Sequence, residues 1–256
     1  MDSLRLTIIQ SDLIWQNISE NLKKFELHLA NLIGKTDLII LPEMFTTGFS
    51  MDTSFAEKFD GVTINWLLHQ ASKINASIVG SIMVQEKDKF YNRLVVVQPN
   101  GLISKYDKKH LFSFGSENNF FTAGQKRLEI LINGWKVCPL VCYDLRFPVW
   151  SRNTSGYDLL IYVASWPAAR SFAWKSLLTA RAIENQCYVA GVNRIGKDGN
   201  GLIYNGDSVC LDFTGDALLS FEGDESVQTV ILNKKDQNDF RDRFPFLKDQ
   251  DQFLLL

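Results

Sequence analysis

Much of what would narrow the function of this chain at a glance is missing from it. Its 256 residues include only four cysteines, Cys138, Cys142, Cys187 and Cys210, three of them inside apolar, strand-like runs. A dense disulfide framework is therefore not expected, and a reducing cytoplasm is the natural home. The three histidines, His28, His69 and His110, are scattered, and neither HExxH nor CxxC occurs. Cys138 and Cys142 lie four apart on an expected strand, on the same side but too far apart to grip one ion, so no metal site is expected. The formal net charge is only -2, with no long run of one sign, which gives no footing for nucleic acid or for a basic membrane-binding face. The longest apolar runs, 38–41 and 159–164, are far too short to span a bilayer. The chain passes from Met1-Asp2-Ser3 straight into an apolar strand, so no signal peptide is expected. Gly34-Lys35-Thr36 mimics the end of a phosphate-binding loop, but Leu29 stands where the earlier glycine is needed. Gly196, Gly199 and Gly201 lack dinucleotide-binding spacing and read as a plain mobile loop.

What is present is an ordinary soluble composition, 46% hydrophobic and 22% charged, in a chain long enough for a sizeable core. No low-complexity linker divides it, so residues 1–256 read as one domain. Strands are expected at 4–10, 37–41, 76–83, 159–164, 188–192, 207–213, 217–221 and 227–232. Helices are expected at 17–33, 64–74 and 171–185. Two Asn-Gly turns, Asn100-Gly101 and Asn133-Gly134, join strands 90–98 to 102–106 and 128–132 to 135–141 as hairpins. Alternating strands and helices interrupted by hairpins indicate a layered α/β protein with mixed sheets. A faint echo links two segments. Asp37-Leu38-Ile39-Ile40-Leu41-Pro42 and the run from Asp158 to Pro167 both pass from an acid through a buried strand to a proline.

Three residue groups could carry chemistry. Glu43 follows a buried strand, at the end where α/β sheets gather their sites. Cys142 ends Val137-Cys138-Pro139-Leu140-Val141-Cys142, and a strand-to-turn position can present a nucleophile with a backbone N–H behind it. Lys108 and Lys109 follow the strand 102–106. Taken singly, each has a plain reading: a solvated loop glutamate, a buried small hydrophobe, two solvated lysines.

In combination and in this order, the segments resemble the nitrilase superfamily of carbon–nitrogen hydrolases. The matching pieces are Leu41-Pro42-Glu43-Met44-Phe45, then Tyr106-Asp107-Lys108-Lys109-His110-Leu111-Phe112, then Val141-Cys142-Tyr143-Asp144-Leu145-Arg146-Phe147-Pro148. The resemblance selects Lys108, two before His110, over Lys109. It assigns a second glutamate to Glu117, seven before Gly124. Trp166-Pro167-Ala168-Ala169-Arg170, Ala180-Arg181-Ala182-Ile183-Glu184-Asn185-Gln186 and Gly191-Val192-Asn193-Arg194 resemble the omega-amidase branch. The likeness implies a four-layer α-β-β-α sandwich, commonly a homodimer, and the apolar tail 253–256 fits a covered surface.

The implied activity is hydrolysis of the terminal amide of 2-oxoglutaramate or 2-oxosuccinamate. Cys142 would attack as a thiolate favoured by Lys108. Lys108 and the Tyr143 backbone N–H would hold the oxyanion, Glu43 would shuttle protons, and Glu117 would orient Lys108 or the substrate. No metal or organic cofactor is needed. The substrate carboxylate would pair with Arg146 first and Arg170 second, although Arg170 also reads as a surface residue before a helix. Trp166 and Phe49 would wall the methylene chain. Three other readings stay open: a nitrilase or N-carbamoyl amide hydrolase with the same residues, a Cys142–His110 hydrolase in which His110 lacks an evident orienting partner, and a non-catalytic interaction module.

Overall fold

The short apolar runs become strands covered on both faces, which is why they read as continuous rather than alternating. In the computed structural model, which describes residues 2–254, the first sheet contains β1 (Ser3–Gln10), β2 (Leu38–Ile40), β3 (Glu57–Lys58), β4 (Ser77–Glu86), β5 (Lys89–Val97), β6 (Ile103–Asp107) and, from the far end of the chain, β15 (Ser226–Asn233). The second contains β7 (Ile130–Ile132), β8 (Trp135–Val141), β9 (Leu159–Ala164), β10 (Tyr188–Asn193), β13 (Val209–Leu211) and β14 (Ala217–Ser220). A separate hairpin pairs β11 (Ile195–Lys197) with β12 (Ile203–Asn205).

Side-chain alternation along the strands builds four layers. Leu4, Leu6, Ile8, Leu38 and Ile40 share one core with Trp135, Leu140 and Ile161 of the facing sheet. Ile9, Ile39 and Leu41 point the other way and meet Phe25 and Leu29 of α1 (Ile18–Ala30) and Ile64 and Leu67 of α2 (Val62–Ile74). Behind the short α3 (Pro148–Ser151), α4 (Ser171–Asn185) lays Trp174 and Leu178 on the second sheet. The result is the α-β-β-α sandwich that the resemblance implied.

The two sheets repeat one plan. Along β15-β1-β2-β4-β5-β6, neighbours pair antiparallel, parallel, parallel, antiparallel, antiparallel, and along β7-β8-β9-β10-β13-β14 the same sequence recurs. The echoed acids occupy equivalent places. Asp37 Oδ2 accepts the Arg5 backbone N–H at 2.8 Å, and Asp158 Oδ2 accepts that of Lys136 at 2.8 Å. Each thus locks the start of a central strand to its parallel neighbour.

Some expected boundaries move. The first helix stops at Ala30, where Asn31 caps it; Leu32 and Ile33 lie in the turn closed by Gly34 at φ +72°. The strand expected over 207–213 shortens to β13. An unexpected helix, α5 (Lys234–Arg243), starts at Asn233, whose side chain accepts the N–H groups of Lys235 and Asp236. Of the apolar tail, Phe253 and Leu254 are exposed, and Leu255 and Leu256 lie outside the described residues.

Candidate active site

The carboxyl ends of β2, β6, β8, β9 and β10 converge on one cavity of about 130 Å³. Glu43, Phe49, Lys108, Cys142, Tyr143, Arg146, Trp166 and Arg170 all line it. Glu117 lies behind it, fully buried against Lys108.

Each polar group is delivered by a local break in regular structure. Pro42 has no N–H to continue β2, and the chain turns so that Glu43 points inward with no exposed surface. Lys108 follows the end of β6 and stays tied to the sheet by its N–H to Asn92 O, 3.0 Å. Its carbonyl accepts the Gly124 N–H at 2.9 Å. A Cβ on Gly124 would lie 2.0 Å from Asp107 O, so only glycine allows this approach. Glu117 sits in a one-turn helix, Glu117–Asn119, and its Oε2 accepts the Phe112 N–H at 2.6 Å.

The ion cluster is tightly knit. Lys108 Nζ lies 2.8 Å from Glu43 Oε1 and 2.9 Å from Glu117 Oε2, with all three side chains at most 1% exposed. Asn92, inside β5, ties the carboxylates together: its Nδ2 is 2.8 Å from Glu43 Oε1 and 3.1 Å from Glu117 Oε1. The Ser165 N–H donates to Glu43 Oε2 at 2.8 Å. Burial alone would depress the Lys108 ammonium, but Glu117 and Glu43 outweigh it and hold it protonated. Burial pushes the Glu117 carboxyl up, with Lys108 opposing.

Cys142 is not part of the strand that leads to it. It opens a 3-10 turn, Cys142–Arg146, at φ +42°, a left-handed conformation that costs a non-glycine residue about 1–3 kcal/mol. Asp144 secures that turn. Its carboxylate accepts the Val141 N–H at 3.0 Å, the Tyr106 hydroxyl at 2.7 Å and the His110 N–H at 3.0 Å, and it meets His110 Nδ1 at 2.7 Å. His110 therefore has a firm partner, contrary to the sequence reading. Its ring stacks on Phe147 at 3.8 Å and does not line the cavity, which leaves a Cys142–His110 pair without support.

The charges around Cys142 act in opposite directions. Burial first, then the Glu43 charge, hold the Cys142 thiol well above its ordinary value, and Lys108 only partly offsets them. Lys109 is separate from this chemistry: its Nζ lies over the Trp150 ring at 5.4 Å and 3.2 Å from Gln125 Oε1.

The walls come from later segments. Arg146 lies over the Trp166 ring at 4.9 Å, and Arg170 over Phe112 at 5.3 Å, so Arg170 faces the cavity rather than simply capping α4. Asn193 clamps Trp166, accepting its N–H at 2.8 Å and donating to its carbonyl at 2.9 Å. The glycine-containing loop read as plain and mobile is instead the β11–β12 hairpin, and Asp198, Asn200, Leu202 and Tyr204 from it close one side of the cavity. Asp198 organises that turn, accepting the Asn200 and Leu202 N–H groups and the Tyr204 hydroxyl, each at 2.9 Å. Sequence reasoning missed this hairpin, Asn92 and Ser165. Among the described residues, no cluster of three or more His, Cys, Asp or Glu side chains is arranged to hold a metal ion.

Comparison with known proteins agrees with this geometry. The family described as carbon-nitrogen hydrolase matches residues 5–241. The chain is 46% identical to omega-amidase YafV of Yersinia enterocolitica over the whole of both chains. It is 32% identical to 2-oxoglutaramate amidase of Bacillus subtilis, covering 95% of this chain and 96% of that one. A CN-hydrolase superfamily protein from Xanthomonas campestris, crystallised with an arsenic adduct in its active site, is 42% identical and superposes over the full length of both chains with a TM-score of 0.98.

Proposed function

The chain belongs to the carbon–nitrogen hydrolase family, and on that premise we propose that it cleaves the terminal amide of small 2-oxo acid amides, 2-oxoglutaramate and 2-oxosuccinamate, to the dicarboxylate and ammonia. The observation that carries the reading is the buried Glu43–Lys108–Glu117 cluster beside Cys142 in a cavity that two arginines also line. The full-length relatives named as an omega-amidase and a 2-oxoglutaramate amidase support the substrate class.

The chemistry follows from the protonation states. Burial and the Glu43 charge favour the protonated thiol, and its proton passes to Glu43 as sulfur attacks the amide carbonyl. The Lys108 ammonium and the Tyr143 backbone N–H stabilise the oxyanion, and losing one such donor typically raises the barrier by about 3 kcal/mol. Glu43 returns the proton to the departing ammonia, leaving a thioester on Cys142. Water, deprotonated by the same carboxylate, then releases the acid and restores the thiol. Glu117 accepts Lys108 on both of its oxygens and serves to aim the ammonium.

Specificity comes from the far end of the substrate. A carboxylate there meets the guanidinium of Arg146 or Arg170, while Trp166 and Phe49 enclose the methylenes. The ammonium of glutamine would meet the two arginines, while three of the four acceptor positions of the Asp198 carboxylate are already taken by Asn200, Leu202 and Tyr204. Ammonia release across 2-oxoglutaramate, glutamine, a neutral aliphatic amide, a nitrile and an N-carbamoyl amide tests the reading. The expected result is a clear preference for the oxo acid amide. Preference for the nitrile or carbamoyl compound would move the assignment within the family, and no turnover of any substrate would remove it.

The same reading extends to a cytoplasmic homodimer. Four free, buried cysteines fit a reducing compartment, and no helix among the described residues is long and apolar enough to cross a membrane. Leu254, 88% exposed, fits a surface that a second copy covers. Light scattering at micromolar concentration that gives the mass of a monomer would overturn the dimer.

A further inference from the structure

Glu43 has four lone-pair directions on its two oxygens. Oε1 already accepts two donors, Lys108 Nζ and Asn92 Nδ2, each at 2.8 Å. Oε2 accepts one, the Ser165 N–H at 2.8 Å. The carboxylate therefore has one open position, and it lies on Oε2, beside Ser165. Ser165 itself lines the cavity, yet its hydroxyl is buried and makes no hydrogen bond to any protein group in the described structure. A buried hydroxyl left without a partner costs about 1–3 kcal/mol, so its place at the reacting centre calls for a ligand that arrives during turnover.

We propose that the Ser165 hydroxyl and Glu43 Oε2 together seat the water that hydrolyses the thioester. The inference rests on the acyl-enzyme reading of the site. In the resting enzyme the open Oε2 position serves the Cys142 thiol proton. Once sulfur carries the acyl group, that position is vacant and can take a proton from water. The Ser165 oxygen hangs from the same residue whose N–H touches Oε2, so one water reaches both. It donates one hydrogen to Oε2 and the other to Ser165 Oγ, which turns its lone pair toward the thioester carbonyl. Attack forms the carbon–oxygen bond and passes one water proton to Glu43. Collapse breaks the carbon–sulfur bond, and the departing thiolate takes the proton back. Nothing is oxidised or reduced. The backbone N–H that holds Glu43 belongs to the main chain of Ser165, so side-chain removal leaves the base in place for the first step.

Ser165→Ala separates the two half-reactions. With an activated ester, the p-nitrophenyl ester of a short carboxylic acid, acylation is fast and kcat reads water attack; the variant should lower it about tenfold, the loss of one hydrogen bond made in the transition state. For 2-oxoglutaramate, kcat/KM reads acylation and should stay within about twofold of wild type. The melting temperature should not fall, because the hydroxyl removed has no protein partner. An unchanged kcat for the ester, an equal fall in kcat/KM for the amide, or a lower melting temperature would each overturn the assignment. Failure of the wild type to release ammonia from any amide would instead strike the underlying reading, and it is seen without the variant.

Discussion

Lys108→Met leaves the shape of the site nearly intact and removes the cation paired with both Glu43 and Glu117. Glu43 and Glu117 then remain buried, at most 1% exposed, joined through Asn92 with no ammonium between them. Breaking a buried pair in this way costs about 3–5 kcal/mol at neutral pH. The cost has a signature in pH. In the variant, at least one carboxyl must keep a proton that the unfolded chain loses above about pH 4. The native state then binds more protons than the unfolded state, so stability falls as pH rises, by up to about 1.4 kcal/mol per pH unit for each proton. Urea unfolding at a series of pH values from 5 to 8 reads this directly as a midpoint that drops with pH more steeply than in wild type. Lys109→Met is the matched control. Its amine rests on the Trp150 ring and Gln125 near the surface, so the loss should be under about 1 kcal/mol, with no added pH slope. Equal stability of Lys108→Met and wild type, or a loss that does not change with pH, would refute the claim that Lys108 neutralises two buried carboxylates.

Three other outcomes follow from the geometry. A small amide-mimicking electrophile should label Cys142 before the other cysteines: burial pushes Cys138 and Cys210 up to about 12 and raises Cys187 likewise, and none of the three lines the cavity; peptide mapping that finds one of these labelled first would contradict the site. Arg146→Ala should raise KM for 2-oxoglutaramate about tenfold or more, with little effect on a neutral amide, and equal effects on both would remove Arg146 from carboxylate binding. Arg5 holds the Asp37 carboxyl below its ordinary value, so the pair stabilises the fold above that value and the contribution is lost as pH falls through the depressed one. Asp37→Asn should cost about 1 kcal/mol at neutral pH and flatten the acid limb of the unfolding curve, and an unchanged acid limb would count against the link.

The fold was legible wherever one signal was strong and local. Continuous apolar runs marked the central strands, Asn-Gly turns marked two hairpins, and the echo between Asp37 and Asp158 reflects equivalent places in two sheets of the same plan. Helix α5 escaped notice because Phe240 is its only apolar residue, packed on Phe213, while Asn233 caps its start. The β11–β12 hairpin escaped because distant residues shape it. Ile195 N–H bonds to Ser11 O, and a Cβ on Gly199 would run into the Trp15 indole at 2.3 Å. Glu43, Lys108, Glu117 and Cys142 stood out only through the order of their motifs. Asn92 carries no such signal. It stands next to Arg93 in the polar first half of β5, and its importance emerges only when β5 is placed beside the Glu43 turn.

The central claim is that amide cleavage passes through a thioester on Cys142. Acid quenching during turnover of 2-oxoglutaramate, followed by peptide mass mapping, tests it most directly. The account predicts the acyl group on the Cys142 peptide of the wild-type enzyme, with no adduct and no ammonia release from a folded Cys142→Ala variant. An acyl group on another residue, or continued ammonia release by Cys142→Ala, would contradict it.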